Sequence, residues 1–207
     1  MKERKFLFGL AAPTSAGKTT LVEALKDELG SELAVVNFDD YDLYPEGSAR
    51  LQQELENPTI TNWEDPALFD YDKYLADLEM LKNGLPIIMN SLSRENQGSG
   101  LKKITPSKFT IVEGIFVLAT REARQYFDFS YFLDLPEEEM VKRRLARTTA
   151  HDMPWDKVDY IKGQMIAGTK EFVLPQGKYA RRLDATKSTQ GLVGDILGDI
   201  RPLRQIY

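Results

Sequence analysis

The 207-residue sequence predicts an α/β fold in three layers, with a mainly parallel sheet and a small lid. Short apolar runs typical of buried parallel strands lie at residues 6–12, 33–38, 109–112 and 131–135. Segments in which apolar residues recur at helical spacing separate these runs. The first run leads into a loop and then a helix in the order of a phosphate-binding site, so we expect a P-loop NTPase fold.

The phosphate-binding loop is predicted at residues 12–20, before a helix at residues 21–29. Ala12 replaces the first Gly of the P-loop pattern, and Gly17, Lys18 and Thr19 match the rest. Backbone N–H groups would wrap a polyphosphate, Lys18 would reach its β and γ phosphates, and the Thr19 hydroxyl would face Mg²⁺. The nucleotide-binding residues are expected to be Pro13, Thr14, Ser15, Ala16, Gly17, Lys18, Thr19 and Thr20. The alternative, that Gly-Lys-Thr only starts a helix, is disfavoured by the strand and helix on either side.

Composition limits the classes of protein. With 42% hydrophobic and 29% charged residues, a single domain over residues 1–207 is expected. The net charge of −5 disfavours a nucleic-acid partner. The apolar runs fall short of a membrane helix and no signal peptide is recognisable, so we expect a cytoplasmic protein with no membrane association. The absence of Cys excludes disulfides and thiolate metal sites, and the single His151 is expected in an exposed loop.

Acidic residues follow two of the predicted strands. Asp39 and Asp40 come after the second strand, and Glu113 follows the third. Ligands of open α/β sheets gather beyond the carboxyl ends of the strands, so these side chains should lie near the phosphate loop. Asp39 is the expected catalytic base, with Asp40 as second choice, and Glu113 is the expected Mg²⁺-organising residue. The alternatives are a turn-capping Asp pair and a solvated Glu.

The middle of the chain predicts a helix at residues 48–57 and a loop at 58–66 that two prolines interrupt. Trp63 in this loop could line a substrate pocket or plug the core. A stripe of Tyr and Leu at helical spacing predicts a packed helix that Gly84 ends. Pro86 indicates that residues 85–89 form a strand near an edge, and residues 90–100 suggest a mobile loop or a hairpin connection.

The last third predicts a helix after Pro136 that carries a cluster of arginines. Arg144 and Arg147 are expected to neutralise charge on the transferred phosphoryl group, and the alternative is a solvated face. A lid is expected at about residues 143–160. Helical spacing resumes at residues 155–172, and a short strand at 183–185 precedes a closing helix capped by Ser188.

The order of these parts resembles the uridine kinase and phosphoribulokinase-like group of P-loop kinases, which includes nicotinamide riboside kinases. The resemblance is carried by the P-loop, by Asp39-Asp40-Tyr41, and by residues 62–70, 111–115, 132–136, 142–147 and 178–180. It implies transfer of the γ-phosphoryl group of ATP to a hydroxyl of a small nucleoside-like acceptor. Asp39 would be the base, and Thr19, Asp39 and Glu113 would hold Mg²⁺. Arg144 and Arg147 would reach substrate or phosphates, while Tyr41, Trp63 and Glu64 would border the acceptor.

The sequence also departs from uridine kinases at several positions. The Tyr and His that recognise the base are absent from residues 89–95, the Arg-Gly-Arg of the lid is absent from residues 148–154, and Tyr160 stands near an expected Gln. Residues 132–147 and 183–188 resemble nicotinamide riboside kinases at least as closely. A kinase for pantothenate or a sugar phosphate, and a non-kinase regulatory module that binds nucleotide, remain alternatives. Assembly into a homo-oligomer is left open.

Overall fold

The computed structural model describes residues 4–90, 101–147 and 153–205. Three expectations fall wholly or partly outside these ranges: the loop position of His151, most of the segment at 90–100, and residues 148–152 of the expected lid. The lid therefore stays a prediction.

Five parallel strands form the central sheet, which confirms the α/β prediction. They are β1 (Phe6–Ala11), β2 (Leu33–Asn37), β5 (Phe109–Gly114), β6 (Phe129–Asp134) and β7 (Arg181–Asp184), in the spatial order β2-β5-β1-β6-β7. All neighbours pair in parallel. Because β2, β5 and β1 are adjacent, the chain segments that follow them emerge side by side at one edge of the sheet.

A separate two-stranded antiparallel sheet joins β3 (Ile87–Asn90) to β4 (Leu101–Ile104). Their pairing agrees with the hairpin interpretation of the polar segment between them. Pro86 lies just before β3, where it takes no place in the ladder. β4 was not predicted, because its first three residues are exposed and only Ile104 is buried.

Helices cover both faces of the sheet. They are α1 (Lys18–Leu29), α2 (Ala49–Glu56), α3 (Tyr71–Lys82), α4 (Arg121–Arg124), α5 (Glu137–Arg147), α6 (Val158–Tyr160), α7 (Ile166–Gly168) and α8 (Thr189–Ile200). The last of these begins at Ser188, whose side chain accepts a hydrogen bond from the backbone of Gly191, as its sequence predicts.

α6 and α7 are turns of one helix over residues 158–173, hereafter the 158–173 helix. Its other turns, Ile161–Met165 and Thr169–Val173, are π-helical. π-Helical turns are rare and often accompany functional sites. This helix packs beside α5 and leads into β7.

Two apolar cores lie on opposite faces of the sheet, which gives the three layers. Alternate residues of β1 face different cores, Phe8 and Leu10 on one side and Leu7 and Ala11 on the other. α1 and α8 pack on the first face, and α3 with the β3–β4 sheet packs on the second. Among the described residues, no helix is both long and apolar enough to span a membrane.

Candidate active site

The loop between β1 and α1 has the backbone of an anion-binding site. Ser15 and Gly17 adopt left-handed conformations, with φ of 59° and 89°. Gly17 occupies the N-cap position of α1, where no side chain caps the helix. The first N–H groups of α1 can therefore donate to a ligand, and together with the helix dipole they favour a bound anion. A left-handed N-cap explains why the sequence requires glycine at this position.

The side chains of this loop also fit a polyphosphate. The Oγ of Ser15 is buried without a hydrogen-bond partner, and such a donor has a partner when a phosphate oxygen lies in the loop. Lys18 Nζ reaches back to the Pro13 carbonyl oxygen at 3.4 Å, a long contact that a stronger acceptor could replace. The loop opens into a pocket of about 620 Å³, lined by Ser15, Gly17, Lys18, Thr19, Thr20, Arg143, Ala146 and Arg147. We call it the phosphate pocket.

Two of the carboxylates that interact electrostatically with Lys18 lie near the carboxyl ends of strands of the sheet. Asp39 lies in the helical turn after β2, where its N–H donates to Asn37 Oδ1 at 2.9 Å. Its side chain keeps access to solvent, yet the surrounding protein desolvates it and raises its pKa, against the attraction of Lys18. Glu113 of β5 is buried, and burial raises its pKa to about 7, opposed by Lys18 and reinforced by Asp39 and Asp40. The sheet order thus brings together the acids that the sequence places after separate strands.

Asp39 and Glu113 do not make a complete metal site without further ligands. Among the described residues, no three His, Cys, Asp or Glu side chains are arranged to hold a metal ion. Mg²⁺ usually takes one or two protein carboxylates and completes its shell with substrate phosphates and water. The chemistry of the predicted ligands, Thr19, Asp39 and Glu113, fits that requirement.

A smaller cavity, of about 170 Å³, is lined by Thr14 of the loop between β1 and α1. Its lining comprises Thr14, Asp42, Tyr44, Trp63, Glu64, Leu68, Phe69, Arg144, Trp155 and Met165. We call it the acceptor cavity. Trp63 is half-buried. The centroid of its ring lies 4.9 Å from the ring centroid of Trp155 and 6.1 Å from that of Tyr44. It both lines the cavity and packs against the core, so the two interpretations of Trp63 are compatible.

Glu64 is the most strongly perturbed group of the acceptor cavity. Burial raises its pKa to about 7, opposed by a hydrogen bond from Tyr160 and by the charges of Arg144 and Lys18. The Tyr160 hydroxyl lies 3.1 Å from Glu64 Oε1. Such a pKa keeps both protonation states of Glu64 accessible near neutral pH.

The arginines of α5 divide between the two spaces. Arg143 and Arg147 line the phosphate pocket, as their shared helix face suggests, while Arg144 lines the acceptor cavity. Arg144 Nη2 donates to the Trp155 carbonyl oxygen at 3.1 Å and to Asp156 Oδ1 at 2.8 Å. α5 therefore presents positive charge to both spaces, but the expected pair of Arg144 and Arg147 does not share one pocket.

Tyr41 lies in the core instead of beside the acceptor. It is only 2% exposed, and its hydroxyl donates to Asp77 Oδ2 at 3.0 Å. Asp77 in turn pairs with Lys73 at 2.6 Å. The expectation that Tyr41 borders the acceptor therefore needs correction: this side chain anchors the turn that carries Asp39. The sequence could not separate the two roles, because a Tyr after two acids suits a binding site as well as a core.

Four residues of the site were not predicted as site residues, namely Asp42, Tyr44, Trp155 and Tyr160. Asp42 directly follows Asp39-Asp40-Tyr41 and could have been recognised as a third acid. No local pattern singles out Trp155, and Tyr160 drew notice only because it stands near the Gln that the resemblance implies. The tertiary fold brings both residues to Glu64, since Trp155 lines the same cavity and Tyr160 bonds to the carboxylate.

Comparisons with known proteins agree with this geometry. The model of the Phosphoribulokinase / Uridine kinase family matches residues 7–180. The uridine kinase of Chlamydia pneumoniae is 30% identical over 199 residues, which cover 92% of this chain and 86% of that protein.

Two solved structures share the fold. Phosphoribulokinase from Rhodobacter spheroides superimposes with a TM-score of 0.68 at 8% identity, over 90% of this chain and 74% of the other. Shikimate kinase from Acinetobacter baumannii gives 0.57 at 15% identity, over 99% and 97%. The family match, with the phosphate loop and its neighbouring carboxylates, leads to one conclusion: the chain belongs to the phosphoribulokinase/uridine kinase family and is a phosphotransferase with an alcohol group as acceptor.

Proposed function

We propose that this protein transfers the γ-phosphoryl group of ATP, in the presence of Mg²⁺, to a hydroxyl of a small nucleoside-like acceptor. The observation that carries the proposal is that adjacent residues of one loop line two different spaces. Ser15 lines the phosphate pocket, and its neighbour Thr14 lines the acceptor cavity. A phosphoryl donor and an alcohol bound in these spaces would approach each other at this loop, where Lys18 interacts electrostatically with Asp39.

The proposed roles follow from charge and position. Lys18 and the N-terminus of α1 bind the phosphates, and Arg147 adds positive charge from α5. Asp39 orients the acceptor hydroxyl and takes its proton as the oxygen bonds to the γ-phosphorus and the bond to the β-phosphate oxygen breaks. The raised pKa of Asp39 suits a proton acceptor. Mg²⁺, held by Thr19, Asp39 and Glu113, would neutralise charge on the phosphates.

The lining of the acceptor cavity supports a nucleoside-like acceptor over a phosphorylated one. Glu64 and Asp42 are acidic and would repel an anionic acceptor, whereas Arg144 is already engaged by Asp156. The indole rings of Trp63 and Trp155 suit a flat heteroaromatic group, including a cationic one. At about 170 Å³ the cavity is smaller than typical ligand sites of about 300–1,000 Å³, so it would enclose the sugar and leave the base nearer its mouth.

The deciding experiment measures ADP release from Mg·ATP with uridine, cytidine, nicotinamide riboside, pantothenate or ribulose 5-phosphate. We expect one of the nucleosides to raise the rate well above the background hydrolysis, and Lys18→Ala to abolish the increase. Stimulation by ribulose 5-phosphate or pantothenate alone would refute the nucleoside-like acceptor. If no acceptor raised the rate although ATP bound, the proposal of a nucleoside-like acceptor would fail, and the acceptor would have to be sought among other alcohols.

The proposed base is tested by comparing Asp39→Asn with its neighbour Asp40→Asn. Loss of the base should lower kcat by about 10²–10⁴-fold. ATP binding should remain nearly intact, because the phosphates are held by the loop and Lys18. The Asp40→Asn variant is the matched control, with the same change one residue away. A larger loss of kcat in Asp40→Asn than in Asp39→Asn would move the role to Asp40.

A further inference from the structure

The 158–173 helix contacts Glu64 at two places. The Tyr160 hydroxyl lies 3.1 Å from Glu64 Oε1. Two turns further along, Gly168 approaches so closely that an added Cβ would lie 2.2 Å from the Cβ of Glu64. The first contact holds the carboxylate of Glu64, and the second holds the Cβ end of the same side chain. The orientation of Glu64 in the acceptor cavity therefore depends on this helix.

The Tyr160 hydroxyl bonds to the side chain of one residue of the cavity wall, Glu64. A phenol has one O–H to donate, and here it can donate to the carboxylate. Tyr160 itself is absent from the lining of the acceptor cavity. It lies behind the wall and acts on the groups that face an acceptor.

The electrostatic surroundings of Glu64 show what the phenol contributes. Lys18 of α1 and Arg144 of α5 favour the ionised carboxylate, and the Tyr160 hydrogen bond does the same. Burial opposes them and raises the pKa of Glu64 to about 7. Asp42, from the segment after β2, lines the same cavity and adds a further negative charge. Loss of the phenol hydroxyl would shift this balance toward the protonated acid.

We propose that Tyr160 is a positioning residue for acceptor binding, which holds the Glu64 carboxylate so that it accepts a hydrogen bond from a hydroxyl of the acceptor. This inference rests on the proposed function and makes it more specific: the acceptor must present a neutral hydroxyl donor to Glu64, in addition to the hydroxyl that Asp39 activates. A carboxylate has about four lone-pair sites. The bond from Tyr160 therefore leaves room for the acceptor.

The test compares Tyr160→Phe with Tyr131→Phe. Tyr131 of β6 also donates to a carboxylate at 3.1 Å, that of Asp199, but this pair lies outside both pockets. The two variants therefore remove the same kind of hydrogen bond, inside and outside the site. The acceptor KM, the ATP KM and kcat are measured from pH 5.5 to 8.5 with the nucleoside that stimulates the enzyme.

For the unmodified protein we expect kcat/KM for the acceptor to rise with pH as Glu64 ionises. Tyr160→Phe should raise the acceptor KM at pH 7 by about tenfold and move the rise to higher pH, because the ionised carboxylate loses a hydrogen bond. The ATP KM should stay unchanged. Tyr131→Phe should show the same pH dependence of kcat/KM as the unmodified protein. Glu64→Gln should remove the part of the rise that follows Glu64 and leave the part that Glu113 and Asp39, whose pKa values are also raised, contribute; Tyr160→Phe added to it should cause no further shift.

A second measurement follows the carboxyl of Glu64 directly, without any acceptor. The protein is labelled with ¹³C at the Glu side-chain carboxyls, its signal is assigned with Glu64→Gln, and its titration is recorded by NMR. Tyr160→Phe should move the titration to higher pH, and Tyr131→Phe should leave it in place. The role of Tyr160 would be overturned if the Glu64 titration did not move in Tyr160→Phe. It would also be overturned if the titration moved while the acceptor KM stayed unchanged. If no acceptor stimulated ADP release at all, the proposed function itself would fail, whatever the titration showed.

Discussion

Gly168 is the position where one added methyl group should disturb both the fold and the acceptor cavity. A Cβ at residue 168 would lie 2.2 Å from the Cβ and 2.9 Å from the Cγ of Glu64, whereas ordinary van der Waals contact begins at 3.4 Å. Either the 158–173 helix or the loop with Glu64 must therefore move in Gly168→Ala. Backbone conformation adds no penalty, because Gly168 has helical angles, with φ of −63°.

Two opposing effects set the expected size of the change. Inserting a methyl group into a packed contact typically costs about 1–3 kcal/mol. Alanine gains about 1 kcal/mol over glycine inside a helix, which offsets part of that cost. We expect a net loss of up to about 2 kcal/mol in the free energy of unfolding, and a higher acceptor KM because Glu64 is displaced.

Gly163→Ala is the matched control in the same helix. Gly163 is exposed, and an added Cβ would have no atom within 4 Å. Only the gain in helix propensity remains, so this variant should be as stable as the unmodified protein or more stable by up to about 1 kcal/mol. Urea unfolding followed by circular dichroism measures both variants. Equal stability of Gly168→Ala and Gly163→Ala, with an unchanged acceptor KM, would refute the contact between the helix and Glu64.

Three further predictions concern stability and phosphate binding. Tyr41→Phe removes one hydrogen-bond partner of the buried Asp77 and should cost about 1–3 kcal/mol of unfolding free energy in urea; an unchanged midpoint would contradict its anchoring role. Arg147→Ala should raise the ATP KM and lower kcat with little change in acceptor KM, and an effect on acceptor KM alone would remove Arg147 from the phosphate pocket. The pKa of Glu64 is raised from 4.5 to about 7, so its contribution to stability is fully present below pH 4.5 and lost as pH rises through 7. Glu64→Gln should therefore gain stability over the unmodified protein between pH 5 and 8, by at most about 3 kcal/mol, and a gain that does not grow with pH would contradict the raised pKa.

Local patterns were sufficient for the fold class and for most of its elements. The strands β1, β2, β5 and β6 are short and apolar because both faces of a parallel sheet are covered, and such runs are visible in sequence. One strand was not predicted, and the start of another was misplaced, for the corresponding reason. β4 is mostly exposed, and β7 begins two residues earlier than expected, at Arg181, because its first two residues are exposed and only Leu183 is buried.

The residues of the candidate site also differ in how directly the sequence predicts them. The phosphate loop is one continuous segment whose residue types follow from local backbone geometry, so the sequence predicts Gly17 and Lys18 as its binding residues. The acids Asp39 and Glu113 required one further rule, that parallel strands end at a common edge. The roles of these residues in catalysis remain predictions that the experiments above test.

The sequence alone determined the α/β class, the phosphate loop and the acids at the strand ends, because each depends on residues that are close in the chain or on a general rule of sheet topology. Only the tertiary structure decided that Tyr41 belongs to the core and that Arg144 and Arg147 face different spaces. It also decided that Tyr160 and Gly168 control Glu64, about one hundred residues earlier in the chain. Contacts of that kind come from packing between distant segments, and the local pattern of neither segment encodes them.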